Sequence, residues 1–176
     1  RVDEPKGDPG NTLSGDEISR LADTPPSRAE EMPVIEKVDI LEEYLDRLRS
    51  EFCLARSLKV VVDAGNGTGG PPACRMLTDL GCRVIPLHCV MDGTFPAHHP
   101  DPTVEANLSD LRKAVLTSGA DLGIAFDGDA DRLGIVDEKG RAVYGDRILT
   151  VLAQAVLATN PGAAVISEVK ASGVFY

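Results

Sequence analysis

From residue 57 onward, short apolar runs alternate with segments of helical periodicity, and this alternation constrains the fold more than any other feature. Three runs, "LKVVV", "CRVIPL" and "DLGIAF", begin near residues 58, 82 and 121. Two amphipathic segments separate them, one carrying Met76 and Leu77 and the other Leu111 and Val115. Near-continuous apolar strands joined by helices are typical of a parallel sheet that is covered on both faces.

The segments after this core extend the prediction. "RLGIV", the tight turn "DEKG" and "RAVYG" indicate an antiparallel hairpin at one edge of the sheet. The sequence thus predicts an α/β fold with a mixed, mainly parallel sheet and helices on both faces. We also expect helices over 39–52 and from Ser14, a helix N-capped by Asp146, and a strand at "AAVISEV".

Composition and charge exclude several functions. The net charge of −10 and the lack of a Lys/Arg-rich run argue against a partner that is a nucleic acid. No apolar stretch reaches about 18 residues, so we predict no membrane span and a cytoplasmic protein. The four cysteines form no C-x-x-C pair, which favours reduced thiols over zinc ligands or disulfides.

The stretch "IAFDGDADRLGIV" places Asp127, Asp129 and Asp131 at alternate positions between two apolar runs. Like charges this close repel one another, so either the loop faces water or a cation binds between the carboxylates. An EF-hand is excluded because Arg132 occupies the position where the calcium loop needs glycine, and the flanking runs are strands. Three carboxylates that leave coordination positions open suit Mg²⁺, and Arg132 suits a phosphate or a neighbouring carboxylate.

A second motif, "GNGTGG" at 65–70, matches the dinucleotide pattern G-x-G-x-x-G. Asp63 precedes the first glycine, however, and Pro71 and Pro72 fall in the helical turn where N–H groups should meet a pyrophosphate. We therefore favour a turn that allows close packing. A dinucleotide-binding module that uses Gly65, Gly67 and Gly70 remains the alternative.

The acidic loop resembles the metal-binding loop of the α-D-phosphohexomutases, most closely their bacterial phosphomannomutase/phosphoglucomutase branch. The resemblance extends to "KVVVDAGNGTGG", "DGTFPAHHPDPT", "YGDRILTVLA" and "NPGAAVISEVKASG", in the same order along the chain. It implies an enzyme that interconverts hexose 1-phosphate and hexose 6-phosphate through a phosphoserine and a bisphosphosugar intermediate.

The resemblance also implies roles for particular residues. Asp127, Asp129 and Asp131 correspond to the Mg²⁺ ligands, Arg132 lies beside the phosphoryl site, and Lys170 is a substrate or proton-transfer contact. The chain would then hold the end of a first domain (1–39), a second domain with the metal loop (40–141) and the start of a third (142–176). It has no initiator Met and ends just after a strand-like run, so we expect part of a longer protein.

One departure from the family pattern leaves alternatives open. The family's T-x-S-H-N-P loop, which carries the nucleophilic serine, does not occur in this sequence. A phosphoglucosamine mutase of the same family and an inactive scaffold are therefore the other hypotheses. We interpret His98 and His99, in "FPAHHPDP", as part of a structural loop held by hydrogen bonds; the alternative is a metal site.

Overall fold

The computed structural model describes residues 19–20, 22–23 and 36–173. The chain divides into two units, 1–38 and 39–176, and every element named below lies in the second. Residues 19–20 and 22–23 are helical, and the rest of the helix predicted from Ser14 lies outside the described residues. The elements in chain order are α1 (Leu41–Glu51), β1 (Lys59–Asp63), α2 (Gly70–Asp79), β2 (Arg83–Leu87), a 3₁₀ turn (Glu105–Leu108), α3 (Ser109–Ser118), β3 (Leu122–Phe126), β4 (Leu133–Asp137), β5 (Ala142–Val143) and α4 (Gly145–Thr159).

The five strands form one sheet in the order β2-β1-β3-β4-β5. β1 pairs in parallel with β2 and with β3, and β4 pairs antiparallel with β3 and with β5. The predicted fold, a mainly parallel sheet with an antiparallel hairpin at one edge, is confirmed. In the register of β1 and β3, Asp63 lies opposite Ala125, so both strands end at the same edge.

The core lies on both faces of the sheet. Successive valines of β1 point to opposite faces, as the two-residue period of a strand requires. Val61 packs with Leu111 and Val115 of α3, whereas Val60 and Val62 pack on the α2 side. All three valines are 0–1% exposed, and burial stabilises each by about 1.5–3 kcal/mol.

α1 is tied to α2 by charged pairs as well as by Leu45, its one fully buried residue. Arg75 of α2 contacts the Glu42 carboxylate with both terminal nitrogens, one of them at 2.8 Å. Arg49 Nε of α1 donates to Asp79 Oδ2 at 2.9 Å. The predicted helix over 39–52 is thus present, shortened at both ends.

Two local predictions were wrong. Asp146 does not cap α4: the helix begins at Gly145, and Tyr144 occupies the N-cap position without a side-chain cap. Asp146 Oδ2 instead accepts from Ser172 N at 3.0 Å. No strand forms over 163–169, because among the residues that the structure describes no strand lies beside this apolar run, and Ile166 is 90% exposed.

None of the helices in the described part of the chain combines the length and apolar character that crossing a bilayer requires. The four cysteines are free thiols. Cys82 is buried in the α2 face of the core, while Cys74 and Cys89 are half-buried with their sulfurs 3.6 Å apart.

Candidate metal centre

The acidic loop lies at the carboxyl edge of the sheet, in the connection from β3 to β4. β1 and β3 are parallel neighbours, so the residues that follow them meet at that edge. Asp63 ends β1 and Asp127 follows β3, and both are almost fully buried, at 1% and 2% exposure. Ligands of open α/β sheets bind at this edge.

Asp127 is the fixed member of the acidic loop. Its Oδ1 accepts from the backbone N–H of Arg132 at 2.9 Å, and its Oδ2 accepts from Arg132 Nε at 2.8 Å. Burial alone would raise the pKa of Asp127, but these two hydrogen bonds and the guanidinium charge outweigh it and hold the pKa below its ordinary value. Asp127 is therefore an ionised carboxylate even though it is buried.

Asp129 and Asp131 are the exposed members. Each of the three aspartates offers one oxygen in a group whose members all lie within 4.8 Å of one another. Ala130, between the two exposed aspartates, has a φ of +64°, and this left-handed residue turns the chain so that the carboxylates converge. The hydrogen bond to Asp127, together with the charges of Asp129 and Asp127, raises the pKa of Asp131.

The donor set of this group fits a hard divalent cation. All three donors are carboxylate oxygens, which Mg²⁺ and Ca²⁺ prefer, and Asp129 and Asp131 face solvent, so further positions stay open for water or a phosphate. The raised pKa of Asp131 indicates repulsion that a cation among the oxygens would relieve. Sequence analysis predicted these three residues as metal ligands, and the structure brings them together.

Arg132 is held by carboxylates on two sides. Besides Asp127, its NH1 group lies 3.3 Å from Asp101 Oδ1, and its Nε lies 3.8 Å from Asp131. The side chain is still 51% exposed. Arg132 thus lies beside the predicted ligands and fixes the orientation of Asp127, while its predicted place beside a phosphoryl site stays a prediction.

The glycine-rich turn packs directly against the backbone of the acidic loop. Four of its N–H groups are engaged within the protein: Gly65 N with Asp63 Oδ1 (2.9 Å), Asn66 N with His88 O (2.7 Å), Gly67 N with Ala64 O (2.7 Å) and Thr68 N with Gly128 O (3.0 Å). A Cβ on Gly67 would lie 2.7 Å from Gly128 O and 3.0 Å from Asp127 O. These four donors are used within the protein, and the prolines in the first turn of α2 have no N–H to offer a pyrophosphate, which disfavours the dinucleotide module.

The long loop between β2 and the 3₁₀ turn covers the acidic loop from the other side. The Phe95 ring and Pro100 stand 3.4 and 3.5 Å from the position of a Cβ on Gly128, in contact distance. Asp101 of the same loop binds Arg132 and closes an Asx turn onto Thr103. Sequence analysis missed Asp101, because no local pattern links it to a residue 31 positions away.

Lys170 lies apart from this arrangement. It follows α4 in a hollow that Asp146, Leu149 and Glu168 also line. Its side chain is 84% exposed, and its Nζ lies 3.4 Å from Glu168 Oε1. Among the residues that the structure describes, none of its contacts reaches the acidic loop, so its predicted role as a substrate contact stays a prediction.

A second group of polar side chains lies at the same sheet edge. His98 Nε2 lies 3.1 and 3.2 Å from the two oxygens of buried Asp63, and the rings of His98 and His88 meet edge to face at 5.4 Å. His99 is exposed and contributes only its backbone carbonyl. The two histidines therefore differ: His98 contacts buried Asp63, and the His99 side chain faces water.

The fold and the loop define an α/β domain that carries an acidic metal-type centre at the carboxyl edge of its sheet. Residues 42–140 match the family model for phosphoglucomutase/phosphomannomutase, alpha/beta/alpha domain II. This match covers more than half of the chain, so the chain belongs to the phosphoglucomutase/phosphomannomutase family.

Relatives agree with this assignment. A phosphomannomutase/phosphoglucomutase of Pseudomonas putida is 52% identical over 77% of the chain and 29% of its own length. A probable phosphoglucosamine mutase of Methanosarcina barkeri is 56% identical over 54% of the chain and 22% of its own length. The crystal structure of a phosphoglucomutase/phosphomannomutase family protein from Burkholderia thailandensis superposes with a TM-score of 0.71 at 46% identity, covering 73% of this chain and 28% of that one. The chain thus spans about a third or less of the length of these relatives.

Proposed function

We propose that the chain forms the metal-binding part of a phosphohexomutase that interconverts hexose 1-phosphate and hexose 6-phosphate, of mannose, glucose or both. The observation that carries the proposal is the convergence of Asp127, Asp129 and Asp131 within 4.8 Å at the carboxyl edge of the sheet. Family membership supports the reaction class. The activities named for the relatives support hexose phosphates as substrates, with glucosamine phosphate as the second candidate.

Each residue of the loop has a separate task in this proposal. Arg132 keeps Asp127 ionised and immobile, so one ligand is in place before the ion binds. Asp129 and Asp131 are exposed and close around the ion, which we propose is Mg²⁺. Bound there, Mg²⁺ would neutralise charge on a transferring phosphoryl group. The phosphoserine and bisphosphosugar steps rest on the resemblance alone, because no T-x-S-H-N-P loop is present in this chain.

The domain division and setting belong to the same proposal. We assign 1–39 to the end of a first domain, 40–141 to the second and 142–176 to the start of a third, with Lys170 directed to substrate. We propose cytoplasmic metabolism as the setting, with phosphosugars as partners and no nucleic acid or membrane. The negative net charge of the chain supports the exclusion of nucleic acid.

Metal-dependent stability of the purified chain tests the metal assignment. If Mg²⁺ binds with a dissociation constant of about 1 mM, about 20 mM Mg²⁺ should stabilise the folded state by roughly 1.8 kcal/mol. The Tm should therefore rise in wild type and rise less in Asp129→Asn. Glu138→Gln removes the same charge from an exposed position in the β4–β5 turn, so it is the matched control and should respond like wild type. Equal Mg²⁺ responses in all three proteins would refute the site.

A further inference from the structure

The Asp63, His88 and His98 side chains form a cluster that the acidic loop does not use. Each offers one ligand-type atom, and these atoms lie within 4.8 Å of one another. Asp63 is 1% exposed, and the His98 side chain is 18% exposed. The carboxylate of Asp110, in the first turn of α3, lies 3.4 Å from His88 Nε2. Two imidazoles and a buried carboxylate thus meet where β1, the end of β2 and the long loop come together.

The hydrogen bonds of His98 demand a positive charge at this point. Nδ1 lies 3.0 Å from the His99 carbonyl oxygen, and Nε2 lies 3.1 and 3.2 Å from the Asp63 oxygens. All of these neighbours are acceptors, and Asp63 Oδ1 already accepts from Gly65 N. A neutral imidazole has one N–H, so one ring nitrogen would present a lone pair to an acceptor. Either a second proton or a metal ion must occupy the space at Nε2.

We propose that this cluster is a structural site for a divalent transition metal, with Zn²⁺ as the representative ion. Two imidazole nitrogens and one carboxylate oxygen form a donor set that suits Zn²⁺, Co²⁺ and Ni²⁺ and is poor for Mg²⁺. Ligand atoms about 2.1 Å from one ion stand roughly 3.0–3.4 Å apart at angles of 90–110°. The 3.1 Å between His98 Nε2 and Asp63 Oδ2 falls in this interval.

The surroundings have the outer contacts that ligating imidazoles use. His98 Nδ1 lies 3.0 Å from the His99 carbonyl oxygen, and with the metal bound an N–H at Nδ1 would donate to this carbonyl while the Nε2 lone pair binds the ion. Asp110 stands at His88, within reach as a fourth ligand or as the outer partner of the ring.

The position of the cluster indicates what the ion would do. It would join the long loop at His98 to the end of β1 at Asp63 and to the residue after β2 at His88. The same loop places Phe95 and Pro100 against Gly128 and Asp101 against Arg132. The ion would thus hold in place the long loop that packs against the acidic loop.

The test uses the three histidines of the chain, with His99 as the internal control. Zn²⁺ is added to the purified chain in the presence of excess Mg²⁺, which fills the acidic loop, and the ring signals of the histidines are followed by NMR. We expect saturating shifts of the His88 and His98 signals at one equivalent and none for His99. No shift at one equivalent, or shifts confined to His99, would overturn the proposal without any variant.

Calorimetric Zn²⁺ titrations of variants extend the test. Loss of an outer partner costs a metal site about 10–100-fold in affinity, so loss of a ligand in His98→Gln or His88→Gln should cost at least about 100-fold. His99→Gln should bind like wild type. Unchanged affinity in both cluster variants, or a loss confined to Asp129→Asn, would assign the ion elsewhere and refute the site.

Discussion

The contact between the glycine-rich turn and the acidic loop allows a sharp test through Gly67→Ala. Gly67 is buried, and its φ is not positive, so alanine meets no backbone strain there. The methyl group would instead lie 2.7 Å from Gly128 O and 3.0 Å from both Ala64 O and Asp127 O. These are backbone atoms, which cannot rotate away as a flexible side chain does. The turn and the acidic loop must therefore separate.

The expected cost follows from overpacking. Inserting a methyl group into a well-packed site typically costs about 1–3 kcal/mol. For a unit of this size, about 4 °C of Tm corresponds to 1 kcal/mol, so Gly67→Ala should melt about 4–12 °C below wild type. The loss of unfolded-state entropy in a glycine-to-alanine change works in the opposite direction by about 0.4–1 kcal/mol. A control variant with the same glycine-to-alanine change, but without the steric clash, is needed to measure this opposing effect.

Gly93→Ala is the matched control. Gly93 also lacks a positive φ, and a Cβ there meets nothing within 4 Å. Its Tm should therefore equal or slightly exceed that of wild type. Thermal melts by circular dichroism, with and without Mg²⁺, measure both effects, and Gly67→Ala should also lose part of the Mg²⁺ response because Asp127 and Gly128 are displaced. A Gly67→Ala protein with the same Tm as Gly93→Ala and the full Mg²⁺-induced rise in Tm would refute the packing argument.

Three further outcomes are expected. Arg132→Lys keeps the charge but loses the Nε–H bond to Asp127, so the Mg²⁺-induced rise in Tm should shrink; a full response would make the planar group dispensable. Asp121 accepts hydrogen bonds from Lys59 N at 2.7 Å and from the Arg56 guanidinium, and these contacts lower the pKa of Asp121. The stability that they give is therefore fully present above the unfolded pKa of about 3.9 and is lost as the pH falls through the folded pKa. Asp121→Asn should accordingly lower the Tm at pH 7, with the difference fading in acid; a difference that persists unchanged in acid would contradict this assignment. The chain alone, incubated with hexose 1-phosphate, a bisphosphate primer and Mg²⁺, should form no hexose 6-phosphate. A mutase activity that copurifies with the chain would mean that the catalytic residues lie within this sequence.

The sequence was sufficient to predict those features that depend on local periodicity and on the rules of sheet topology. Apolar runs with helices between them determine a parallel core, and parallel neighbours place Asp63 and Asp127 at one edge. The acidic loop was found because its three ligands lie within five residues of one another. In each case the information that determines the structure is contained in a short segment or in the order of segments.

Features that depend on pairing between distant segments were not predictable. Asp101 and Arg132 are 31 positions apart, and His98 and Asp63 are 35 apart, so no periodicity connects them. The strand expected at 163–169 did not form for the same reason, since β propensity needs a partner strand and none of the described strands lies beside this segment. Asp146 had the composition of an N-cap, but the helix begins one residue earlier, at Gly145, and the carboxylate binds Ser172 instead.

The charge distribution around the acidic loop explains why its three aspartates differ in burial. Arg132 offsets one negative charge, that of buried Asp127, and leaves the exposed Asp129 and Asp131 with no cation of their own within hydrogen-bond distance among the described residues. A divalent ion would compensate this remaining pair, while a monovalent ion would leave a negative charge that repels a phosphate. Because Asp127 is fixed by the protein and the other two are not, the ion would bind first at the buried oxygen and then draw in the exposed carboxylates. Arg132 would thus act on metal affinity through the orientation of a single ligand.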